Sequence, residues 1–316
     1  MEAKNMLEAF AEQLVYEDIR AGDINKGIVF SGMGGSGIVG DIAKNWLERK
    51  GHPYPVFSLR GYELPSYIDD NYILICTSYS GNTEETIFIF DEAVKRGIKP
   101  ICISSGGKLK ERALNEGCTY FSIPKGWPPR YALGFMLSKI LCFLGISREE
   151  LENTKNNIKE NINEIKEEAS KIADRFYGYV PIIYATMPTE VAAFRWKTQM
   201  NENGKTQCYY AVIPEMHHNE VVGLDNAEVR SKCSFLIMSD PEDHERIKLR
   251  VKITENVLKK LGVNPYVIEG KGDSYLSRLL YLISIGDWVS YYIAEKYGFD
   301  PIPVRIIDYI KSELSK

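Results

Sequence analysis

The residues best suited to chemistry lie in one loop, Ser78 to Thr86, which reads S-Y-S-G-N-T-E-E-T. It follows the apolar run Tyr72–Thr77 and opens a segment of helical period. Ser78, Ser80 and Thr83 can each donate a hydroxyl hydrogen, and Gly81 permits close approach of the backbone to a ligand. The first amides of a helix have no acceptor of their own and carry positive partial charge. Hydroxyls around such an end form a receptor for a phosphate monoester. A helix cap needs one hydroxyl, and this loop has four. A second turn, G-M-G-G-S-G from Gly32 to Gly37, follows the run G-I-V-F-S. It carries the G-x-G-x-x-G spacing, but no acidic residue stands about 20 positions on, and it lacks the Gly-Lys-Ser/Thr of a nucleotide loop. Gly34, Gly35 and Ser36 are instead candidates for holding sugar hydroxyls beside the phosphate.

Such loops need a scaffold. From Gly27 the chain alternates short β-rich runs with helical segments: GIVFSG, PVFSL, YILICTS, a helix from Thr83, PICISS, a helix and TYFSI. This is the rhythm of a parallel sheet wrapped by helices. The charged stretch Ser147–Glu168 predicts an exposed connecting helix and places a boundary near residue 150, giving domains 1–150 and 151–316. Beyond it the rhythm restarts with PIIYATM, YYAVIP, SFLIMSD and PYVIEG, which predicts a duplicated α/β unit. The second copy carries Asp240, Glu242, Asp243 and Glu245 where the first carries hydroxyls, so only the first should accept a phosphate.

Bulk properties narrow the partners. With 316 residues, 44% hydrophobic, and a formal charge of -4, the chain has no field that would recruit nucleic acid or an anionic membrane. The six cysteines are dispersed without zinc-like spacing and read as reduced thiols. The N-terminal MEAKNMLEAFAEQL is not an export signal, and the longest apolar stretch, Leu276–Ala294, is interrupted by Arg278 and Asp287. A cytoplasmic protein acting on small molecules is expected.

The Gly-Gly-Ser turn, the S-x-S-G-N-T-x-E-T loop and the duplicated units resemble the sugar isomerase (SIS) domain proteins. Trp127–Gly134 (W-P-P-R-Y-A-L-G), Asn201-Glu202-Asn203 and His218-Asn219-Glu220 narrow the resemblance to the bifunctional phosphoglucose/phosphomannose isomerases, over nearly the whole chain. The resemblance implies an α/β fold of two tandem SIS-type domains, each a parallel sheet flanked by helices. It implies aldose–ketose isomerisation of sugar 6-phosphates through a cis-enediolate, without metal or other cofactor. Glu202 is then the proton-shuttling base, and Lys311 assists ring opening.

His218 is implied as the ring-opening acid/base, a role that suits a side chain with an unperturbed pKa near 6.5. The resemblance brings it from a neighbouring subunit, hence a homodimer. His217 and Glu220 beside it raise a metal site as the other possibility, which neighbouring side chains pointing about 100° apart do not favour. Arg130, after Pro128 and Pro129, precedes an apolar helix whose N-terminus is an unfavourable place for a cation. That placement fits a guanidinium kept to stabilise the enediolate. Val304, seven residues before Lys311, stands where dedicated phosphoglucose isomerases resemble one another in carrying glutamine. A smaller side chain there would let the intermediate turn and accept glucose 6-phosphate and mannose 6-phosphate alike. The other class of reading is a non-catalytic sugar-phosphate-binding regulator.

Overall fold

The computed structural model describes residues 2–22 and 26–314. The chain divides into two compact units, one of Glu8–Lys159 with Ser274–Leu276, the other of Glu160–Asp273 and Ser277–Lys316 with Met1–Leu7.

After α1 (Ala3–Glu8), the first unit runs β1 (Gly27–Ser31), α2 (Gly34–Arg49), β2 (Val56–Leu59), β3 (Tyr72–Thr77), α3 (Glu84–Lys95), β4 (Ile101–Ser104), α4 (Gly107–Asn115), β5 (Tyr120–Ser122), α5 (Leu133–Phe143) and α6 (Arg148–Glu160). Its five strands are parallel in the order β2-β1-β3-β4-β5. Every residue of β1 is buried, as helices on both faces of a parallel sheet require. Ile89, Phe90 and Ala93 of α3 and Leu109 of α4 pack with Val29, Leu74 and Cys76 of the sheet.

The second unit runs α7 (Ile162–Phe176), β6 (Val180–Thr186), α8 (Glu190–Glu202), β7 (Tyr209–Ile213), α9 (Ala227–Arg230), β8 (Cys233–Ser239), α10 (Glu245–Lys260), β9 (Tyr266–Glu269), α11 (Tyr275–Tyr297) and α12 (Arg305–Leu314). Its parallel strands follow the order β7-β6-β8-β9. This repeats the order of β2-β1-β3-β4, with β5 the addition in the first sheet. The architecture is the expected α/β one, two parallel sheets flanked by helices.

The stretch Ser147–Glu168 differs from the exposed connecting helix that its charge predicts. Two helices, α6 and α7, share it, and each buries a stripe: Leu151, Thr154 and Ile158 on α6, Ile165, Ala169, Ile172 and Phe176 on α7. The spacings of three and four residues hold one apolar face even though most positions are polar. Among the described residues, no helix is long and apolar enough to cross a membrane.

Candidate active site

In an open parallel sheet, ligands bind beyond the carboxyl ends of the strands, where the strand order reverses direction. In the first unit that point lies between β1 and β3, whose pairing ends at Ser31 and Cys76. These strands lead through Gly32–Met33 into the first turn of α2 (Gly34–Gly37) and through Ser78–Thr83 into α3, so the topology places both candidate turns side by side. Ser78, fully buried, organises the second of them. Its Oγ accepts from the amides of Gly81 (3.1 Å) and Thr83 (3.4 Å) and lies 2.8 Å from Thr83 Oγ1. Ser80 is exposed, and its Oγ accepts from Asn82 N at 3.2 Å. The Thr83 hydroxyl makes no capping bond to the start of α3. Capping therefore does not account for the hydroxyls, and the first turn of α3 keeps the open amides that an anion needs.

Gly81 also answers a packing demand. It has φ +70°, and an added Cβ would stand 1.8 Å from Gly106 O. The glycine is required by the neighbouring β4–α4 loop, which also receives Asn82 Oδ1 as acceptor for Lys108 N at 3.1 Å.

The other first-unit candidates gather around this loop. Ser36 Oγ accepts from Tyr79 N at 2.9 Å, locking the turn after β1 to the turn after β3. A Cβ on Gly35 would meet Pro129 O at 3.0 Å and Arg130 Cα at 3.2 Å, so Arg130 stands directly against the glycine turn, whereas Gly34, at φ +51°, has open space beside it. Arg130 lies in a 3-10 turn (Pro129–Tyr131), is 4% exposed, and its guanidinium is 5.2 Å from the Tyr131 ring. Two residues that the sequence did not single out hold this segment. The Tyr79 hydroxyl accepts from Trp127 N (2.8 Å) and donates to Pro124 O (3.0 Å). Buried Gln13 donates to Tyr131 O (2.7 Å) and accepts from Gly134 N (3.0 Å), bracketing Arg130. The tyrosine lies within the hydroxyl-rich loop. Gln13, in an ordinary amphipathic run more than a hundred residues away, gives no signal.

In the second unit, Glu202 ends α8, which is clamped against α11. Arg195 Nε and Nη2 each meet a carboxylate oxygen of Asp287 at 3.0 Å, Trp196 Nε1 donates to Leu282 O at 2.7 Å, and Asn203 Nδ2 reaches Ser290 Oγ at 3.0 Å. Removing one partner of such a buried pair typically costs about 3–5 kcal/mol, so the helix end carrying Glu202 is held firmly. Glu202 lines a cavity of about 490 Å³ with Asn201, Lys205, Phe299, Pro303 and Val304. Val304 thus shares a wall with the candidate base. Lys311, two turns further along α12, is exposed and is not among the lining residues.

His218 and Glu202 are not brought together within the unit. Helix α8 runs back from the carboxyl edge of the sheet and delivers the chain to the start of β7, near Glu202, while His218 closes the 3-10 turn Glu215–His218 beyond the far end of that strand. The strand has five residues and spans roughly 16 Å. His217 is occupied. Its Nδ1 faces Arg250 Nη1 at 3.0 Å and its Nε2 faces Thr254 Oγ1 at 2.8 Å. Burial first, and the Arg250 charge second, lower its pKa below the usual histidine value. His218 is exposed.

Two hydroxyl- and glycine-lined turns at a switch point, on a duplicated parallel fold, define an SIS-type sugar-phosphate protein. The chain matches the SIS domain over residues 25–115 and the bacterial phospho-glucose isomerase C-terminal SIS domain over residues 165–314. It is 52% identical to a bifunctional phosphoglucose/phosphomannose isomerase of Aquifex aeolicus, across 100% of this chain and 99% of that one. A protein of the same name in Caldicellulosiruptor bescii is 37% identical over 95% of this chain and 92% of its own. Among solved structures, a hypothetical protein of Thermus thermophilus shares the fold with TM-score 0.73 at 14% identity, covering 98% of this chain and 86% of its own. The chain belongs to the bifunctional phosphoglucose/phosphomannose isomerase family and is an isomerase.

Proposed function

We propose that this protein interconverts glucose 6-phosphate and mannose 6-phosphate with fructose 6-phosphate through a cis-enediolate. The full-length likeness to the Aquifex aeolicus isomerase carries the reading. In it the first unit, with Gly34, Gly35, Ser36, Ser78, Ser80 and Thr83, binds the sugar phosphate, and the second supplies Glu202, His218 and Lys311. His218 and Lys311 move the ring-opening proton. The Glu202 carboxylate then removes the C2 proton of the open-chain aldose and returns it to C1, while the proton of the C2 hydroxyl passes to the C1 oxygen, so that C2 becomes the ketone and C1 the alcohol. Arg130 offers fixed positive charge to the enediolate oxygens. Val304 leaves room beside Glu202 for the intermediate to present either face.

The separation of Glu202 from His218 along one sheet supports a homodimer in which each site takes its histidine from the partner subunit. The apolar face of α12, with Ile306, Tyr309, Ile310 and Leu314 each more than half exposed, supports burial against a second copy. We place the enzyme in the cytoplasm, in keeping with the six cysteines being free thiols.

A coupled assay on both aldose phosphates tests the reaction. Turnover of both is expected, and Glu202→Gln should lose about 10³-fold in kcat while still binding sugar phosphate. A protein that binds but never turns over either sugar would be a regulator instead. Mixing inactive Glu202→Gln and His218→Gln proteins should restore activity by forming one intact site per heterodimer. No restoration on subunit exchange would refute the shared site.

A further inference from the structure

Lys205 is the one non-glycine residue among those described that has positive φ, at +51°. L-residues other than glycine resist this left-handed conformation because Cβ crowds the following carbonyl. The place just past a helix C-terminus is ordinarily given to glycine. Gly204 precedes it but is used otherwise: a Cβ there would meet Met200 O at 2.9 Å and Ile293 Cγ2 at 3.1 Å, so the glycine lets the end of α8 close onto α11. The left-handed step falls on the lysine, and a strained residue persists only where its surroundings hold it.

Its side chain shows what holds it. Lys205 Nζ donates to Glu202 O (2.5 Å), Pro303 O (2.6 Å) and Pro301 O (3.4 Å). One ammonium therefore joins the last carbonyl of the catalytic helix to two carbonyls of the turn that leads through Val304 into α12. A cation at a helix C-terminus is also favoured by the helix dipole. Prolines at 301 and 303 stiffen that turn, and Ile302 N donates to Asp300 Oδ1 at 2.9 Å. Residues 202, 205, 303 and 304 line the same cavity.

We propose that Lys205 is a positioning residue for the isomerisation, a latch that sets the distance between Glu202 and the Val304 wall and the angle at which α12 departs. The inference rests on the assignment of Glu202 and Val304 to the reaction. A latch of this kind acts on the orientation of the open-chain sugar more than on its affinity, because phosphate binding is assigned to the other unit. It should therefore change kcat and the mannose/glucose preference before it changes KM.

Two substitutions test it. Lys205→Met keeps the stem and the strained backbone but removes the ammonium, whereas Lys205→Gly removes the ammonium and relieves the backbone as well. Both should lower kcat by about 10-fold or more with KM little changed. Both should raise the hydrogen-exchange rate of the Asp308–Lys311 amides, the first of which donates to Val304 O, by about 10-fold. Lys205→Gly should melt no lower than Lys205→Met, a pattern that loss of stability alone would not produce together with an equal loss of kcat. Unchanged exchange at Asp308–Lys311 in both variants overturns the latch. Faster exchange with wild-type kcat and sugar preference overturns its role in positioning. Full activity in Glu202→Gln would instead remove the assignment of the base, and leaves the exchange measurement to decide the latch separately.

Discussion

The loops after β3 and β8 occupy equivalent places in their sheets, yet they are built from opposite materials. In the first, Ser78 gathers the amides of Gly81 and Thr83, and the start of α3 stays uncapped. In the second, Asp240 Oδ1 accepts from Glu242 N and Asp243 Oδ2 accepts from Asp240 N, both at 2.9 Å, while His244 Nδ1 caps α10 through Arg246 N. Arg278 of α11 then approaches Asp240 Oδ2 at 2.9 Å and Glu242 Oε2 at 2.6 Å. On the proposed reading, one copy keeps an anion receptor open, and the other fills the equivalent place with internal carboxylates and their own cation. The fold therefore supplies a place for a ligand, and the side chains decide whether that place is vacant.

The comparison breaks most severely at Arg278. Its side chain and that of Asp240 are 4% and 3% exposed, so Arg278→Ala leaves a buried carboxylate uncompensated. We expect a loss of about 3–5 kcal/mol in unfolding free energy. Affinity of the first loop for inorganic phosphate should not change. Chemical denaturation checks the first statement and calorimetric titration the second. A neutral effect on stability would mean that the second loop is not held shut by its ion pair.

Converting the first loop toward the second is the complementary test. Ser80→Asp places a carboxylate on an exposed position of the receptor, where folding should tolerate it. Like charges at a binding site cost several kcal/mol, reduced here by solvent and salt. Binding of sugar phosphate should weaken by about 100-fold, and Ser80→Asn should weaken it far less. Equal affinity in Ser80→Asp and wild type would show that the anion lies elsewhere.

Much of this contrast was legible in the sequence, for local reasons. Hydroxyls after one apolar run and carboxylates after its counterpart are read directly, and the parallel sheets follow from the short α/β rhythm. The stretch Ser147–Glu168 misleads because its charge count hides the spacing of Leu151, Ile158 and Ile165. Other features depend on contacts between distant segments. Gly81 is demanded by Gly106, Arg130 is bracketed by Gln13, and Asp240 is answered by Arg278; no window of neighbouring residues contains either of the last two pairs. Lys205 is illegible for a different reason. Local rules favour Gly204 for the left-handed step, and packing against α11 overrides them.

The smallest expected effect concerns the helices behind the two loops. Helix α10 is tied from outside by His217, and the hydrogen bonds settle the proton's position. Arg250 Nη1 can only donate, so His217 Nδ1 accepts and Nε2–H donates to Thr254 Oγ1, whose own hydrogen goes to Arg250 O at 2.8 Å. Protonating Nδ1 would oppose an N–H to a guanidinium, which adds to burial in lowering the folded-state pKa. A depressed histidine pKa contributes stability that is present above the unfolded value near 6.5 and is lost as pH falls from there through the lower folded-state value. Acidification below about pH 6.5 should therefore cost stability through this residue. His217→Gln should remove that part of the pH dependence while leaving phosphate binding at the first loop unchanged. An acid limb that is identical in the variant and the wild type would show that α10 does not depend on this tie.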